Sequence, residues 1–119
     1  MSPGFSTAVR LRSRQEFTAV QENGRRVAAR YVTLLGRPNT LDRDRFGVIA
    51  SRRLGGAVAR NRAKRRLREV FRRGLPAASR PADRTLDVVA IARRELLDAP
   101  FAALEADFQN ALRRLRGAR

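Results

Sequence analysis

The sequence predicts an α+β domain: a helix, two or three strands, a basic helix, a further strand and a closing helix, with a mixed sheet of about four strands packed against the helices. Three observations lead there. Apolar residues recur at spacings of three and four from Ala59 to Phe71 and from Phe101 to Leu115, the signature of helices with one buried stripe. Runs rich in β-branched, aromatic and aliphatic residues fall at 27–36, 45–50 and 86–92. A chain of 119 residues supports one domain with one core. With no internal repeat, 1–119 reads as a single domain whose ends, 1–9 and 117–119, are expected to be flexible.

The elements can be justified in order. Ser13-Arg-Gln-Glu16 is a capping-box pattern, in which Ser13 accepts from the Glu16 amide and Glu16 reaches back. The helix it opens carries Phe17 and Val20, and Asn23-Gly24 supplies a left-handed terminus. Val27 to Gly36 is extended, with a break expected near Ala29-Arg30. Alternation puts Val32 and Leu34 on one face and Tyr31, Thr33 and Leu35 on the other, a less apolar face that a ligand can use. Arg37 to Thr40, with the acids Asp42 and Asp44, reads as a loop of solvated charges. Arg45 to Ala50 resumes as a strand, with Phe46, Val48 and Ala50 opposite Gly47 and Ile49. Gly74 to Asp83 is a small-residue and proline connector. Leu86 to Ala92 is a buried strand. The last helix begins around Asp98-Ala-Pro100 and buries Phe101, Leu104, Phe108, Ala111, Leu112 and Leu115, with Arg113, Arg114 and Arg116 suited to its C-terminal dipole end.

Charge is concentrated at Ser51 to Arg73, which holds ten cations and one acid, Glu69. From Ala57 onward Ala59, Ala63, Leu67, Val70 and Phe71 form the apolar stripe, while Asn61, Arg65, Arg68 and Arg72 occupy the opposite face. Arg60 with Lys64, Lys64 with Arg68, Arg62 with Arg66 and Arg68 with Arg72 are like charges at i,i+4, each costing a few tenths of a kcal/mol. A solvated structural helix interleaves acids with such residues. This one needs a polyanion from outside. The blander alternative is a basic face in an arginine-rich proteome, since only Lys64 of the 27 Lys and Arg residues is lysine. Leu54-Gly55-Gly56 turns the chain into this helix. Paired glycines there can expose N–H groups to an anion, or simply make the turn.

Composition narrows the function classes. The net charge of +16 favours nucleic acid or an anionic surface, and no apolar run is long enough to span a bilayer. The N-terminus does not resemble a secretion signal, so a cytoplasmic protein is expected. Cysteine and histidine are absent, which removes disulfides, most zinc arrangements, thiol nucleophiles and the commonest general base. The acids are scattered, whereas metal-assisted phosphodiester hydrolysis by protein needs clustered carboxylates. No catalytic or metal-ligating residue is expected in the chain itself.

Arg60-Asn61-Arg62-Ala63-Lys64-Arg65-Arg66-Leu67-Arg68, preceded by Phe46-Gly-Val-Ile-Ala-Ser-Arg-Arg-Leu-Gly55 and followed by Asp87-Val-Val-Ala-Ile-Ala-Arg93, resembles the protein subunit of bacterial ribonuclease P. Phe17 and Gly24 match that family's first helix, so the likeness covers roughly residues 10 to 116. It implies an αβββαβα sandwich like the second domain of ribosomal protein S5, with an uncommon left-handed crossover around the basic helix; the general rule for such crossovers is the opposite hand. It also implies that a large RNA holds Mg²⁺ and removes the 5′ leader of precursor tRNA. By position, Arg52, Arg53, Arg60, Asn61, Arg62, Lys64, Arg65 and Arg68 would contact the catalytic RNA, and Phe17, Tyr31, Thr33 and Leu35 would line a cleft for the leader. Some relatives carry aromatics where this chain has Gln21 and Leu35. The expected partners are ribonuclease P RNA and precursor tRNA, with no membrane and no disulfide partner.

Two other readings share the charge. A ribosomal component would have a similar mixed fold without needing a cleft. A DNA-binding module would place the basic helix in a major groove, but no positioning helix or dimer seam precedes it.

Overall fold

The computed structural model describes residues 10–11, 13–39, 44–73 and 85–117. Helix α1 (Arg14–Asn23) is followed by strands β1 (Arg25–Ala28), β2 (Val32–Pro38) and β3 (Arg45–Ile49), helix α2 (Ala57–Arg73), strand β4 (Leu86–Ala92) and helix α3 (Phe101–Gly117). Short 3-10 turns at Arg52–Leu54 and Arg94–Asp98 lead into α2 and α3. The four strands form one mixed sheet in the order β1-β2-β4-β3. β1/β2 and β2/β4 are antiparallel and β3/β4 parallel, so α2 is the crossover between neighbouring parallel strands. The expected connector at 74–83, Asp42 and the terminal segment 1–9 lie outside the described residues, as do 118 and 119; Gly117 still belongs to α3.

Register divides the sheet into two faces, because residues paired across strands point the same way. Val27, Leu34, Ala90 and Val48 form one row, and Gly36, Val88 and Phe46 the next. This face meets α2 and α3 in the main core, where Ala63, Leu67, Val70 and Phe71 pack beside Leu104, Phe108, Ala111, Leu112 and Leu115. The opposite face carries α1. There Leu11, Val20, Leu35 and Val89 form a smaller buried cluster, with Phe17, Ile49 and Ile91 packed on its margin.

The capping box forms as the sequence requires: the Ser13 amide donates to Glu16 Oε1 and the Glu16 amide to Ser13 Oγ, both at 3.1 Å. The end of α1 differs. Gly24 is extended (φ −85°, ψ 161°) rather than left-handed, because the chain runs straight into β1 while the Gly24 amide still caps the Val20 carbonyl. β2 runs on through Arg37 and Pro38, where a loop was expected.

Two further differences have one cause, a carboxylate used to hold the backbone. Asp107 of α3 accepts the amides of Arg30 (3.2 Å) and Tyr31 (2.9 Å), bending the chain between β1 and β2. Alternation therefore starts at Val32, and Tyr31 joins the main core instead of sharing a face with Thr33 and Leu35. Asp44, expected as a solvated loop charge, is buried; it accepts the Leu86 amide at 2.8 Å and pairs with Arg116 from the end of α3.

Candidate nucleic-acid interface

The basic surface begins where β3 ends. Arg52 and Arg53 sit exposed on the 3-10 turn, and Leu54 is tucked into the core. Gly55 then takes φ +133°, a conformation that disfavours any side chain, and turns the chain into α2. Four buried residues, Ala63, Leu67, Val70 and Phe71, fix which way the helix faces. Asn61, Arg65, Arg68 and Arg72 consequently point outward, with Val58, 85% exposed, one turn before them.

The pattern of counter-charge is uneven along the helix. Its C-terminal end is neutralised locally: Arg72 pairs with Glu69 at 2.6 Å, and Arg73 lies 3.3 Å from Glu105 of α3. The Glu69 carboxyl is held below its usual range by the hydrogen bond from Arg72. One flank is tied down without an acid. Arg62 Nε donates to the Leu97 carbonyl at 3.2 Å and Arg66 to the Ala99 carbonyl, fastening α2 to the segment before α3. Among the described residues, no acid forms an ion pair with Arg52, Arg53, Arg60, Arg62, Lys64, Arg65 or Arg68.

Those cations feel one another. Partial burial and then the nearby Arg10 lower the Arg68 pKa, and burial and then Arg62 lower that of Arg66. The Nε groups of Arg60 and Arg66 are buried without a hydrogen-bond partner. Crowded cations are what a bound polyanion relieves. Arg10 is a contributor that sequence reasoning missed. Its place beside the helix arises from an isolated parallel bridge to Phe46, a pairing without a local sequence signal.

Of the four residues expected to line a cleft, Phe17, Thr33 and Leu35 share the α1 face and Tyr31 does not. Phe17 is partly exposed, whereas Thr33 and Leu35 are 4% and 5% exposed on the α1 face and Tyr31 lies in the main core. Leu35 is covered by the cluster with Leu11 and Val20. Gln21 is exposed on α1. What the structure offers beside Phe17 is Ile49 and Ile91, directly paired across β3 and β4 and only half-buried. Their outward alternation was readable for Ile49, but their adjacency depends on β3 pairing with β4.

No described helix is long and apolar enough to cross a membrane. Among the described residues, no three acids form a metal-binding group. The buried carboxylates are already engaged: Asp44 with Arg116 and the Leu86 amide, and Asp87 with Arg45 and Asn39. Among the described residues, these two carboxylates are thus committed to arginines, an asparagine and a backbone amide.

Fold and surface together define a small α+β protein whose cationic, polyanion-binding surface radiates from one helix. A family model described as Ribonuclease P matches residues 5–116. The ribonuclease P protein component of Chloroflexus aggregans is 42% identical over 106 residues, covering 89% of this chain and 76% of the relative. That of Thermotoga maritima is 31% identical over 121 residues, covering 98% of this chain and all of the relative. The solved Thermotoga maritima RNase P protein superposes with a TM-score of 0.74 at 31% identity, covering 88% of this chain and 96% of that one. The Staphylococcus aureus RNase P protein gives 0.74 at 27% identity, with coverage of 90% and 94%. The chain belongs to the ribonuclease P protein family.

Proposed function

We propose that this protein binds the RNA subunit of ribonuclease P through Arg52, Arg53 and the outward face of α2, and helps that RNA remove the 5′ leader from precursor tRNA. Family membership carries the role in tRNA processing. The observation that supports the mode of binding is the row of cations from Arg52 to Arg68, which no acid of the described residues pairs. Each phosphate engaged releases condensed counterions, a gain that a helix already paired with acids would forgo.

Cleavage belongs to the RNA in this reading. Mg²⁺ would sit on the RNA side, where phosphates supply the oxygen ligands this magnesium chemistry needs, since the protein's own buried carboxylates are taken up by arginines and backbone amides. The leader would cross the α1 face, with Phe17 as the aromatic surface and Ile49 and Ile91 as its apolar neighbours. A cytoplasmic location goes with that task.

Reconstitution tests the proposal. Added to a bacterial ribonuclease P RNA at low Mg²⁺, the protein should raise the rate of precursor cleavage. A rate unchanged at every protein concentration would overturn it.

A further inference from the structure

Across the sheet from the basic helix, a second charged assembly lies at one end of the α1 face. Arg45, the first residue of β3, faces the same side as Asp87 and Arg37, its neighbours in register on β4 and β2. Its guanidinium grips Asp87 with two parallel bonds, Nε to Oδ1 at 2.9 Å and Nη2 to Oδ2 at 2.8 Å. Asn39 Nδ2 donates to the same Oδ1 at 2.9 Å. Such a fork leaves little rotational freedom, and the remaining nitrogen, Nη1, is thereby aimed at Glu16 Oε2, 2.8 Å away.

Among the described residues, the Glu16 carboxylate serves two partners. Oε1 closes the capping box on the Ser13 amide, and Oε2 receives Arg45. The next residue on the helix is Phe17, and two residues beyond Arg45, on the same face of β3, is Gly47. These two meet: a methyl group on Gly47 would stand 2.6 Å from Cε1 of Phe17 and 3.1 Å from Cβ of Leu11. The helix is thus anchored by an ion pair one step before the point where its aromatic ring is laid directly on bare backbone.

We propose that Arg45 is a positioning residue that acts through Glu16 to seat Phe17 on Gly47, and so sets the height of the aromatic surface offered to a single-stranded leader. The link to the leader rests on the proposed leader path across the α1 face; the seating of Phe17 does not.

Arg45 itself is a poor site for a test, because its removal strands the buried Asp87 carboxylate. Glu16→Gln spares the Arg45–Asp87 pair. Glutamine still completes a capping box, but it has one oxygen: with that on the Ser13 amide, its NH₂ group confronts the Arg45 donors. The chain has no tryptophan, so Phe17→Trp provides a single reporter. In the full-length protein carrying Phe17→Trp, Glu16→Gln should shift emission to the red and increase acrylamide quenching. Unchanged emission and quenching would overturn the proposal. In the reconstituted holoenzyme, Glu16→Gln in the otherwise natural sequence should lower the affinity ratio of leader-bearing to leaderless tRNA by about threefold, within the range for a partly exposed ion pair, and leave affinity for the RNA subunit unchanged. A loosened tryptophan with an intact ratio would remove the link from Arg45 to the leader. Phe17→Ala alone having no effect on that ratio would instead remove the leader reading of the face, with the fluorescence still deciding whether Arg45 seats Phe17.

Discussion

The ring of Phe46 on β3 lies flat on that of Phe71 on α2, with centroids 4.2 Å apart and planes 7° from parallel. Phe108 of α3 meets both rings edge-on, at 5.9 and 6.5 Å. This cluster joins the sheet and both helices of the main core, and it bolts the cationic helix to the frame. Phe71→Ala should therefore cost about 3–5 kcal/mol of folding stability, the usual range for emptying a buried aromatic site. Denaturant unfolding of the free protein measures it.

Replacing Arg60 and Arg65 together by alanine should weaken assembly with ribonuclease P RNA and flatten its salt dependence. With two fewer phosphates neutralised, the slope of log affinity against log salt should shrink by about 1.5–2. Filter binding over a salt series reads the slope directly, and an unaltered slope would remove these two residues from the docking surface.

Phe17→Ala should reduce affinity for leader-bearing precursor more than for mature tRNA. Loss of one stacking surface corresponds to about 1–3 kcal/mol. Equal losses on both RNAs would take Phe17 out of the leader path.

Asp107→Ala should destabilise the fold without touching the basic face. It leaves the Arg30 and Tyr31 amides without their carboxylate, at about 1–3 kcal/mol for each group that water does not reach. A thermal melt should show this loss, while the salt slope of RNA binding stays as in the parent protein.

Gly55→Ala should cost about 1–2 kcal/mol, because φ of +133° crowds any Cβ against its own backbone. The added methyl would also stand 3.2 Å from Cβ of Ala59. The expected readout is a lower melting temperature, together with weaker RNA binding if the turn relaxes and re-aims Arg52 and Arg53.

Most of the architecture was legible because it is encoded locally. The Ser13–Glu16 box, the stripe from Ala63 to Phe71 and the apolar run at Leu86–Ala92 each declare an element within a few residues. The outward row Asn61, Arg65 and Arg68 follows from that stripe by geometry alone. What the sequence did not disclose depends on partners far along the chain. Asp107 bends residues 76 and 77 positions earlier and so carries Tyr31 away from Thr33. Asp44 is drawn inward by Arg116, 72 positions later. The 3-10 turn at Arg94–Asp98 has no periodicity to announce it; its Leu97 carbonyl is held by Arg62 and the adjacent Ala99 carbonyl by Arg66. The same distance effect hid the Ile49–Ile91 neighbourhood, which exists only once β3 and β4 are paired.

The free protein carries its crowded cations as an energetic burden, restrained by the aromatic cluster behind them. A polyanion that engages only the folded form removes part of that burden and adds RT ln(1 + [L]/Kd) to folding stability, about 2.7 kcal/mol at a hundredfold excess over Kd. RNA is then a folding ligand as well as a partner. Chains made in surplus over their RNA would be the less durable population, so the supply of one component would set how long the other survives.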